Sequence, residues 1–293
     1  MEKYLLPEDD GLPARNFGPW VAEKLHYLKR YIDMFETSMR SKPWRRRIYI
    51  DLFAGSGKCY VDENREYYLG SPLLALTAKY PFTDCFFVDA SPENIATLQE
   101  RGSTSAVSVN IQYLVGDSNN KVKEIVSQIA EIDQQFIPGQ WTSLNLAFLD
   151  PDGLELEWNA VAALAQVQKM DLIIHYSQNG ITRNLEQCFN SEEETVIDRF
   201  FGDREWRKIY RDHQNKLIQT GIHRQLIDHY KSRLQALGYV DVRDTEDGFE
   251  PLIRNTKRKA PLYRLLFASK HKLGHDFWKE VTRKNVYGQQ KLF

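Results

Sequence analysis

Cysteine is scarce in this chain. Its 293 residues include only three cysteines, Cys59, Cys85 and Cys188, and these lie far apart in the sequence. An odd number of widely spaced cysteines fits neither a disulfide framework nor a zinc site, because both need several thiol or imidazole groups at suitable spacings. We therefore expect reduced thiols, no metal centre and a cytosolic location.

Long apolar runs and an excess of one charge are also missing. No stretch of roughly 18 uncharged apolar residues occurs, which argues against a membrane-spanning helix. The N-terminal sequence MEKYLLPEDD lacks the basic start and apolar core of a secretory signal. The formal net charge is -1 and the pI is about 6.7, so no global positive field attracts nucleic acid. Two short basic clusters, residues 42–47 and 255–259, could contact phosphates or could simply be solvated.

Apolar segments alternate with segments of helical periodicity over most of the chain. One stripe of apolar residues, spaced alternately by four and three, predicts an N-terminal helix. Its members are Val21, Leu25, Leu28, Ile32, Phe35 and Met39. Near-continuous apolar runs predict buried strands at residues 48–52, 85–88, 111–115, 144–149 and 172–176. Because a helix is predicted between successive strands, the chain should form a parallel sheet covered by helices on both faces.

The last third of the chain differs in character. Residues 192–222 are charged, helical in pattern and rich in aromatics, which indicates an insertion at about 190–222. Predicted strands at 239–243 and 262–269 would then form a hairpin. The predicted fold is an α/β, Rossmann-like, mostly parallel seven-stranded sheet with one antiparallel strand. We expect an N-terminal helical extension over residues 1–47 and an α/β domain over residues 48–293.

Four of the predicted strands are followed by an aspartate. The segment IYIDLFAGSG ends the first strand with Asp51 and a turn that contains Gly55 and Gly57. The other three strand-end acids are Asp89, Asp117 and Asp150. A single aspartate in such a position usually caps a helix or forms a turn. Ligands of open α/β sheets bind at the carboxyl ends of the strands, so four acids along that edge predict a ligand site.

S-adenosylmethionine (SAM) is the ligand that best suits a row of carboxylates. It has a cationic amino group and sulfonium, two ribose hydroxyls and an adenine amino group, each of which interacts well with a carboxylate. A dinucleotide instead needs a third glycine and a helix N-terminus at its pyrophosphate. Tyr60 stands at that third position, and the next helix is predicted only from about Ser71. The Gly-Lys-Ser/Thr signature of a P-loop is absent. An NAD enzyme remains a weaker alternative.

The segment DLFAGSG resembles the glycine motif of class I SAM-dependent methyltransferases, especially those that methylate amino groups. The resemblance covers about residues 48–270. It implies that the turn holds the methionine end of the cofactor, while later strand ends hold the ribose and adenine. The implied cofactor-binding residues are Asp51, Phe53, Gly55 and Gly57 for methionine, Asp89 for ribose, and Asp117 and Ser118 for adenine.

A second resemblance covers almost the whole chain. Several short motifs are similar to those of the three-Cys-motif partner (TcmP) family. They are Gly18-x-Trp20, Lys24-Leu25, Gly70-Ser71-Pro72-Leu73, Phe148-Leu-Asp150-Pro151, Phe201-Gly202-x-x-x-Trp206 and Ala268-Ser-Lys270-His271. That family is named for a cysteine-motif protein encoded beside it. The resemblance therefore implies a protein partner, but it implies no substrate.

The segment after the fourth strand is the predicted catalytic site. Asp150 and Pro151 stand where amino-methyltransferases place an acid that accepts a hydrogen bond from the target amine. Such enzymes usually continue with an aromatic residue, whereas this chain continues with Asp152 and Gly153. We therefore list Asp152 as a candidate substrate contact. Trp158 and Tyr176 are candidates for the missing stacking surface.

The sequence as a whole predicts a SAM-dependent methyltransferase that acts on a nitrogen of a nucleic acid or a modified base. A non-catalytic, methyltransferase-like protein that binds SAM or a partner is the alternative. Two lone histidines, His175 and His271, are predicted to be core or surface residues. Residues 58–70 would form either a flap over the cofactor or an exposed hairpin.

Overall fold

The structure, a computed structural model, describes residues 2–104, 109–135, 137–216, 220–240 and 250–284. The strands in chain order are β1 (Arg15–Asn16), β2 (Arg47–Asp51), β3 (Lys58–Val61), β4 (Glu66–Leu69), β5 (Asp84–Asp89), β6 (Asn110–Val115), β7 (Leu144–Leu149), β8 (Met170–Tyr176), β9 (Leu252–Arg254) and β10 (Pro261–Ala268). The helices in chain order are α1 (Val21–Met39), α2 (Ser71–Leu76), α3 (Pro92–Gly102), α4 (Ser118–Gln134), α5 (Trp158–Leu164), α6 (Gln178–Phe189), α7 (Val196–Phe201), α8 (Glu205–Gln214), α9 (Ile222–Ala236) and α10 (Lys272–Thr282).

A seven-stranded sheet in the order β6-β5-β2-β7-β8-β10-β9 forms the centre of the molecule. The pairs formed by β2, β5, β6, β7 and β8 are parallel, while β10 pairs antiparallel with β8 and with β9. Numbered within this sheet, the order is 3-2-1-4-5-7-6, a Rossmann-like order with a hairpin at one edge. The predicted fold class is therefore confirmed.

Helices cover both faces of this sheet. The first face packs against α1, α2, α3 and α10, and the second against α4 to α9. Ile48 and Ile50 lie in the core on the second face, whereas Tyr49 between them lies in the core on the first. Successive side chains of a strand point to opposite faces, so a strand covered on both sides must be apolar at every position.

The apolar stripe of the N-terminal helix is buried as predicted. Val21, Leu25, Leu28 and Ile32 are almost fully buried on α1, and each contributes roughly 1.5–3 kcal/mol by leaving water. Lys24 lies on the same face and is 3% exposed. A buried lysine requires an ionic partner, which the candidate site provides.

The structure bears on two of the sequence predictions, the form of residues 58–70 and the partner strand in the terminal hairpin. Residues 58–70 form a hairpin of β3 and β4, to which β1 adds as a third strand. The hairpin partner of β10 is β9 and not the predicted strand at 239–243, because β10 pairs with β8 on one side and with β9 on the other. Residues 239 and 240 are not in a strand, and residues 241–249 lie outside the described residues. Helix α6 was not predicted, and α2 begins after Gly70 as its N-cap, with Ser71 already helical.

Within the described ranges, no helix combines the length and the apolar character needed to cross a membrane.

The insertion is held together by a buried aspartate. In α7, Asp198 closes a capping box with Thr195 and also accepts hydrogen bonds from Trp206 Nε1 at 2.9 Å and Arg207 Nη2 at 2.8 Å. Gly202 ends α7 with a φ of 70°, and a Cβ there would lie 2.5 Å from the Trp158 side chain. This arrangement accounts for the aspartate, glycine and tryptophan spacing around residue 200. Residues 217–219 of the predicted insertion lie outside the described residues.

We expect Asp198→Asn to lower the free energy of unfolding by about 3 kcal/mol at neutral pH, because it removes a buried charge paired with Arg207. Burial opposes ionisation, but hydrogen bonds from Arg207, Thr195 and Trp206 lower the pKa of Asp198 to about 2. The stabilisation should therefore be complete above the usual carboxyl pKa and be lost as pH falls from about 4 to 2. Urea unfolding across this pH range measures it.

The matched control is Glu205→Gln on the exposed side of α8, which should change stability by less than about 0.5 kcal/mol. Equal effects of the two substitutions would contradict the role assigned to Asp198.

Candidate functional site

The strand-end acids lie along one edge of the sheet, as predicted. Asp51 ends β2 and Asp89 ends β5, while Asp150 directly follows β7 and Asp117 follows β6 after Gly116. Strands β2, β5 and β7 are neighbours in parallel register. The topological switch point lies between the carboxyl ends of β2 and β7. From β2 the chain continues to β5 and β6 on one side of β2, and it then returns to form β7 on the other side.

The glycine turn after β2 has a conformation that favours glycine. Gly55 and Gly57 have φ values of 60° and 91°. A Cβ on Gly57 would lie 2.8 Å from Leu98 Cδ1, and the Gly57 carbonyl accepts a hydrogen bond from Gly70 N at 2.7 Å. By contrast, no atom lies within 4 Å of a Cβ built on Gly55. The turn is therefore packed on its Gly57 side and open on its Gly55 side.

Asp51 supports this turn from below. It is fully buried and accepts hydrogen bonds from Phe53 N at 3.2 Å and from the Tyr49 hydroxyl at 3.4 Å. Burial raises the pKa of Asp51 to about 7, and hydrogen bonds from Ser71 and Phe53 limit the rise. Its carboxyl group thus shapes the turn, and Phe53 beside it is half-buried at the cavity above.

Asp89 connects the turn to the next βα unit. Its Oδ2 accepts a hydrogen bond from Gly55 N at 2.9 Å, and its Oδ1 accepts bonds from Ser91 N at 2.9 Å and Asn94 Nδ2 at 3.0 Å. An ionised carboxylate has about four acceptor positions, so Asp89 retains capacity for a further donor. Because the residue is only half-buried, a ligand can reach it.

Asp117 and Ser118 differ in how accessible they are to a ligand. The exposed Asp117 caps α4 through Oδ1, which accepts bonds from Asn119 N at 2.7 Å and Asn120 N at 3.3 Å. Its Oδ2 has no such bond among the described residues. The buried Ser118 hydroxyl donates to the Leu52 carbonyl and so ties α4 to the end of β2.

A buried lysine from α1 lies between two of the acids. The Lys24 ammonium contacts Asp150 Oδ2 and lies 3.2 Å from Asp152 Oδ1, and its side chain is 4% exposed. Phe17 and Tyr263 complete its surroundings, with ring centroids 5.2 and 5.7 Å from Nζ. Burial opposes the charge, but the two carboxylates raise the pKa of Lys24 well above its usual value. The group is therefore a permanent cation at the centre of the site.

The second oxygen of Asp150 is bound by a histidine. His175 Nδ1, near the end of β8, lies 2.6 Å from Asp150 Oδ1. Burial would raise the pKa of Asp150, but the Lys24 ammonium and the His175 contact hold it well below its usual range. Both carboxylate oxygens of Asp150 are thus engaged within the protein. The sequence predicted His175 only as a core or surface residue, and Lys24 appeared there only in the Lys24-Leu25 motif, without a role in the site.

Asp150, Asp152 and His175 also have the spacing of metal ligands, because one ligand atom from each lies within 4.8 Å of the others. Lys24 Nζ already contacts both carboxylates. A divalent ion would have to displace this ammonium, so we assign the cluster to ion pairing.

The N-terminal segment of residues 10–17, here called the arm, covers the glycine turn. Asp10 is buried and pairs with Arg101 and with Lys58, each at 2.8 Å. Arg101 also donates to the Ser56 carbonyl at 2.6 Å. Further along the arm, β1 pairs with β3, and Arg15 lies 3.1 Å from Asp152. The arm is thus anchored at both ends around the site.

Two cavities adjoin this cluster. The cofactor-side cavity, of about 40 Å³, lies between the turn of residues 53–59 and the acids Asp150 and Asp152. The outer cavity, of about 270 Å³, lies against β8 and β10, and its lining includes His175 and Tyr263. Phe17 and Asp152 line both cavities. The arm and the Lys24 cluster therefore separate the two spaces.

Three other predicted site residues lie away from these cavities. Pro151 is buried beside Asp150. Trp158 is 5% exposed and packs against Tyr230, and Tyr176 is fully buried on the face opposite to His175. Neither aromatic ring offers a surface on which a substrate could stack, so the geometry does not support that prediction.

The two basic clusters lie at opposite edges of the sheet. Residues 42–47 precede β2, and Arg47 and Arg46 are paired with Glu36 and Asp84. Residues 255–259 form the turn between β9 and β10, at the same edge as the site. Lys257 in this turn is 73% exposed at its side chain and forms only a surface ion pair, with Glu63 at 3.3 Å. The second cluster is therefore the one placed to contact a large substrate.

No protein-family model and no curated protein matches the chain. Among solved structures it is similar to Trm1 of Pyrococcus horikoshii in complex with S-adenosyl-L-methionine, at 10% identity, over 93% of this chain and 61% of that chain, with a TM-score of 0.46. This chain thus spans about three fifths of the length of Trm1. It is also similar to a SAM-dependent methyltransferase of Anabaena variabilis, at 9% identity, over 89% of this chain and 98% of that chain, with a TM-score of 0.35. A third similar structure is a protein of Legionella pneumophila, at 12% identity, over 62% of this chain and 74% of that chain, with a TM-score of 0.40. Because these values are low, function has to be inferred from the residues of this chain.

We expect Lys24→Met to lower the free energy of unfolding by about 3–5 kcal/mol, because it leaves Asp150 buried without its cation. Adding Asp150→Asn should cost less than the sum of the single substitutions, since the two side chains are in direct contact. Urea unfolding of both single variants and the double variant measures this coupling.

Lys29→Met is the matched control, because Lys29 forms an exposed pair with Asp33 on the same helix. Such a pair contributes no more than about 1 kcal/mol. If Lys24→Met cost as little as Lys29→Met, the buried pair would not hold the site together.

Proposed function

We propose that this chain is a SAM-dependent methyltransferase that binds its cofactor at the Gly55–Gly57 turn. The observation that carries the proposal is the position of the cofactor-side cavity. It lies at the switch point between β2 and β7, with the open face of Gly55 on one side and Asp150 on the other.

The chemistry of the surrounding groups fits SAM. Bound SAM supplies an electrophilic methyl group on a sulfonium. Asp89 has a carboxylate position left for a ribose hydroxyl, and the Asp117 Oδ2 can accept a hydrogen bond from the adenine amino group. The bare backbone at Gly55 allows the methionine part to approach closely. Asp51, Phe53, Gly57 and Ser118 would act by holding the shape of the turn.

Cofactor binding requires movement of the arm. Ligand cavities usually measure roughly 300–1,000 Å³, whereas the cofactor-side cavity measures about 40 Å³. Phe17 and Arg15 line it from the arm side. The Arg15 side chain is 58% exposed, so its pair with Asp152 contributes little to stability. We therefore propose that this end of the arm lifts when SAM enters, which also requires the two-residue pairing of β1 with β3 to open.

The proposed acceptor is a nitrogen of a nucleic acid or a modified base. The exposed cations Lys257 and Arg258 lie at the edge of the sheet that carries the site. They could neutralise phosphates of a bound strand while one base enters the outer cavity. Asp150 would then border the methyl-transfer position, with Asp152 on the substrate side.

A second candidate function is a non-catalytic partner in a protein complex, as the TcmP resemblance suggests. The small size of the cofactor-side cavity favours it, because the arm as it stands excludes a cofactor. The two candidates differ in one measurable property, the affinity for SAM.

We expect calorimetric titration with SAM to show saturable binding, and Asp89→Asn to weaken it. The lost charge-assisted hydrogen bond to ribose corresponds to a drop in affinity of about ten- to a hundredfold. Asp84→Asn is the matched control, because Asp84 is a buried acid that begins the same strand at the opposite edge. That variant should bind SAM within about threefold of the unmodified protein.

Absence of SAM binding, in folded protein shown to be free of copurified ligand, would contradict the methyltransferase proposal and favour the non-catalytic one. If Asp84→Asn and Asp89→Asn weakened the affinity for SAM equally, the cofactor would have to bind elsewhere.

A further inference from the structure

We propose that His175, oriented by Asp150, is the base that takes the proton from the acceptor group, which is a neutral N–H or O–H on a planar ring bound in the outer cavity. This inference rests on the proposed methyltransferase function. It assigns to His175 the direct contact with the acceptor group, whereas the sequence analysis predicted that Asp150 accepts a hydrogen bond from the target amine.

Asp150 cannot serve the acceptor directly in this geometry. One of its oxygens contacts the Lys24 ammonium, and the other lies 2.6 Å from His175 Nδ1. Lys24 also lowers the basicity of the carboxylate, because the adjacent positive charge favours its ionised form. A target amine would have to compete with both partners for the same oxygens.

The same contacts define the protonation pattern of His175. An ionised carboxylate can only accept hydrogen bonds, so Nδ1 must donate to Asp150. In the neutral ring Nε2 then carries the lone pair. This Nε2 is buried and has no hydrogen-bond partner within the described part of the chain. Buried polar atoms are normally satisfied, so an unpartnered ring nitrogen beside a cavity indicates a contact that a ligand completes.

The position and shape of the outer cavity fit an acceptor ring. His175 and Tyr263 stack with centroids 4.1 Å apart, and both line the cavity. Trp20 adds aromatic surface, while Arg183 supplies a cation. A volume of about 270 Å³ accommodates a single ring system, and larger parts of a substrate would remain outside.

The transfer step balances with these groups. With the arm lifted so that the two cavities join, the acceptor atom attacks the methyl carbon, a new bond forms between them, and the carbon–sulfur bond breaks with its electron pair on sulfur. The acceptor proton passes to His175 Nε2, giving an imidazolium whose charge Asp150 stabilises. Positioned proton transfer of this kind typically contributes a factor of about 10²–10⁴ in rate.

The test uses the full chain and two readouts that need no known acceptor. Long-range ¹H–¹⁵N NMR of the ligand-free protein reports which ring nitrogen of His175 carries the proton, and His175→Gln assigns the signal. Absorbance then follows 4-nitrophenol, a ring with a weakly acidic O–H, in the presence of S-adenosylhomocysteine. His223→Gln is the matched control, because His223 lies on α9 and bonds to Thr182 away from the cluster.

We expect the NMR spectrum to show the ring proton of His175 on Nδ1. We also expect the unmodified protein and His223→Gln to bind 4-nitrophenol as the phenolate below its normal pKa, and His175→Gln to lose this ionisation at least tenfold. A proton on Nε2, or equal phenolate formation by His175→Gln, would overturn the proposal, as would failure of 4-nitrophenol to bind.

A parallel SAM titration separates this inference from the function on which it rests. If the His175→Gln variant binds SAM normally but no longer ionises 4-nitrophenol, the result supports both the proposed function and the role of His175. If the unmodified protein binds no SAM, the proposed function fails, whatever the tautomer. If SAM binds but the proton lies on Nε2, only the role of His175 fails.

Discussion

The ammonium of Lys24 between Asp150 and Asp152 is the contact on which the rest of the site depends. It brings α1, on one face of the sheet, to the carboxyl end of β7 and offsets the charge of Asp150, which could not otherwise remain buried, beside the partly exposed Asp152. It also takes one oxygen of Asp150 and leaves the other for His175. The cation thereby favours the ionised form of Asp150, and its side chain lines the cofactor-side cavity.

The strand-end acids stabilise the local structure of the protein, whether or not a ligand is bound. Asp51 supports the glycine turn, Asp89 connects that turn to α3, and Asp117 caps α4. Their carboxylates retain unequal capacity for further donors, with Asp51 buried and Asp117 exposed. A site built in this way is pre-organised, because the groups that would bind the cofactor are already held by the backbone they stabilise. The arm adds a closing element.

Sequence patterns predicted those features that depend on local burial. The stripe on α1, the five parallel strands and the acids at their ends follow from side-chain periodicity, which directly reflects which faces are covered. Pairings between distant charges could not be predicted in this way. Asp10 binds Arg101 across 91 residues, and nothing in the local pattern of either identifies the other. Lys24 did leave a signal, since a lysine three residues after Val21 and four before Leu28 falls on a buried helix face.

The most direct test is a crystal structure of the full chain with S-adenosylhomocysteine bound. We predict the ribose at Asp89, the adenine beside Asp117 and the amino-acid part over Gly55. The arm should be lifted at Arg15 and Phe17, while Asp10 stays paired with Arg101. Ligand bound at another edge of the sheet, or an empty switch point at saturating ligand concentration, would contradict the assignment of this edge as the cofactor site.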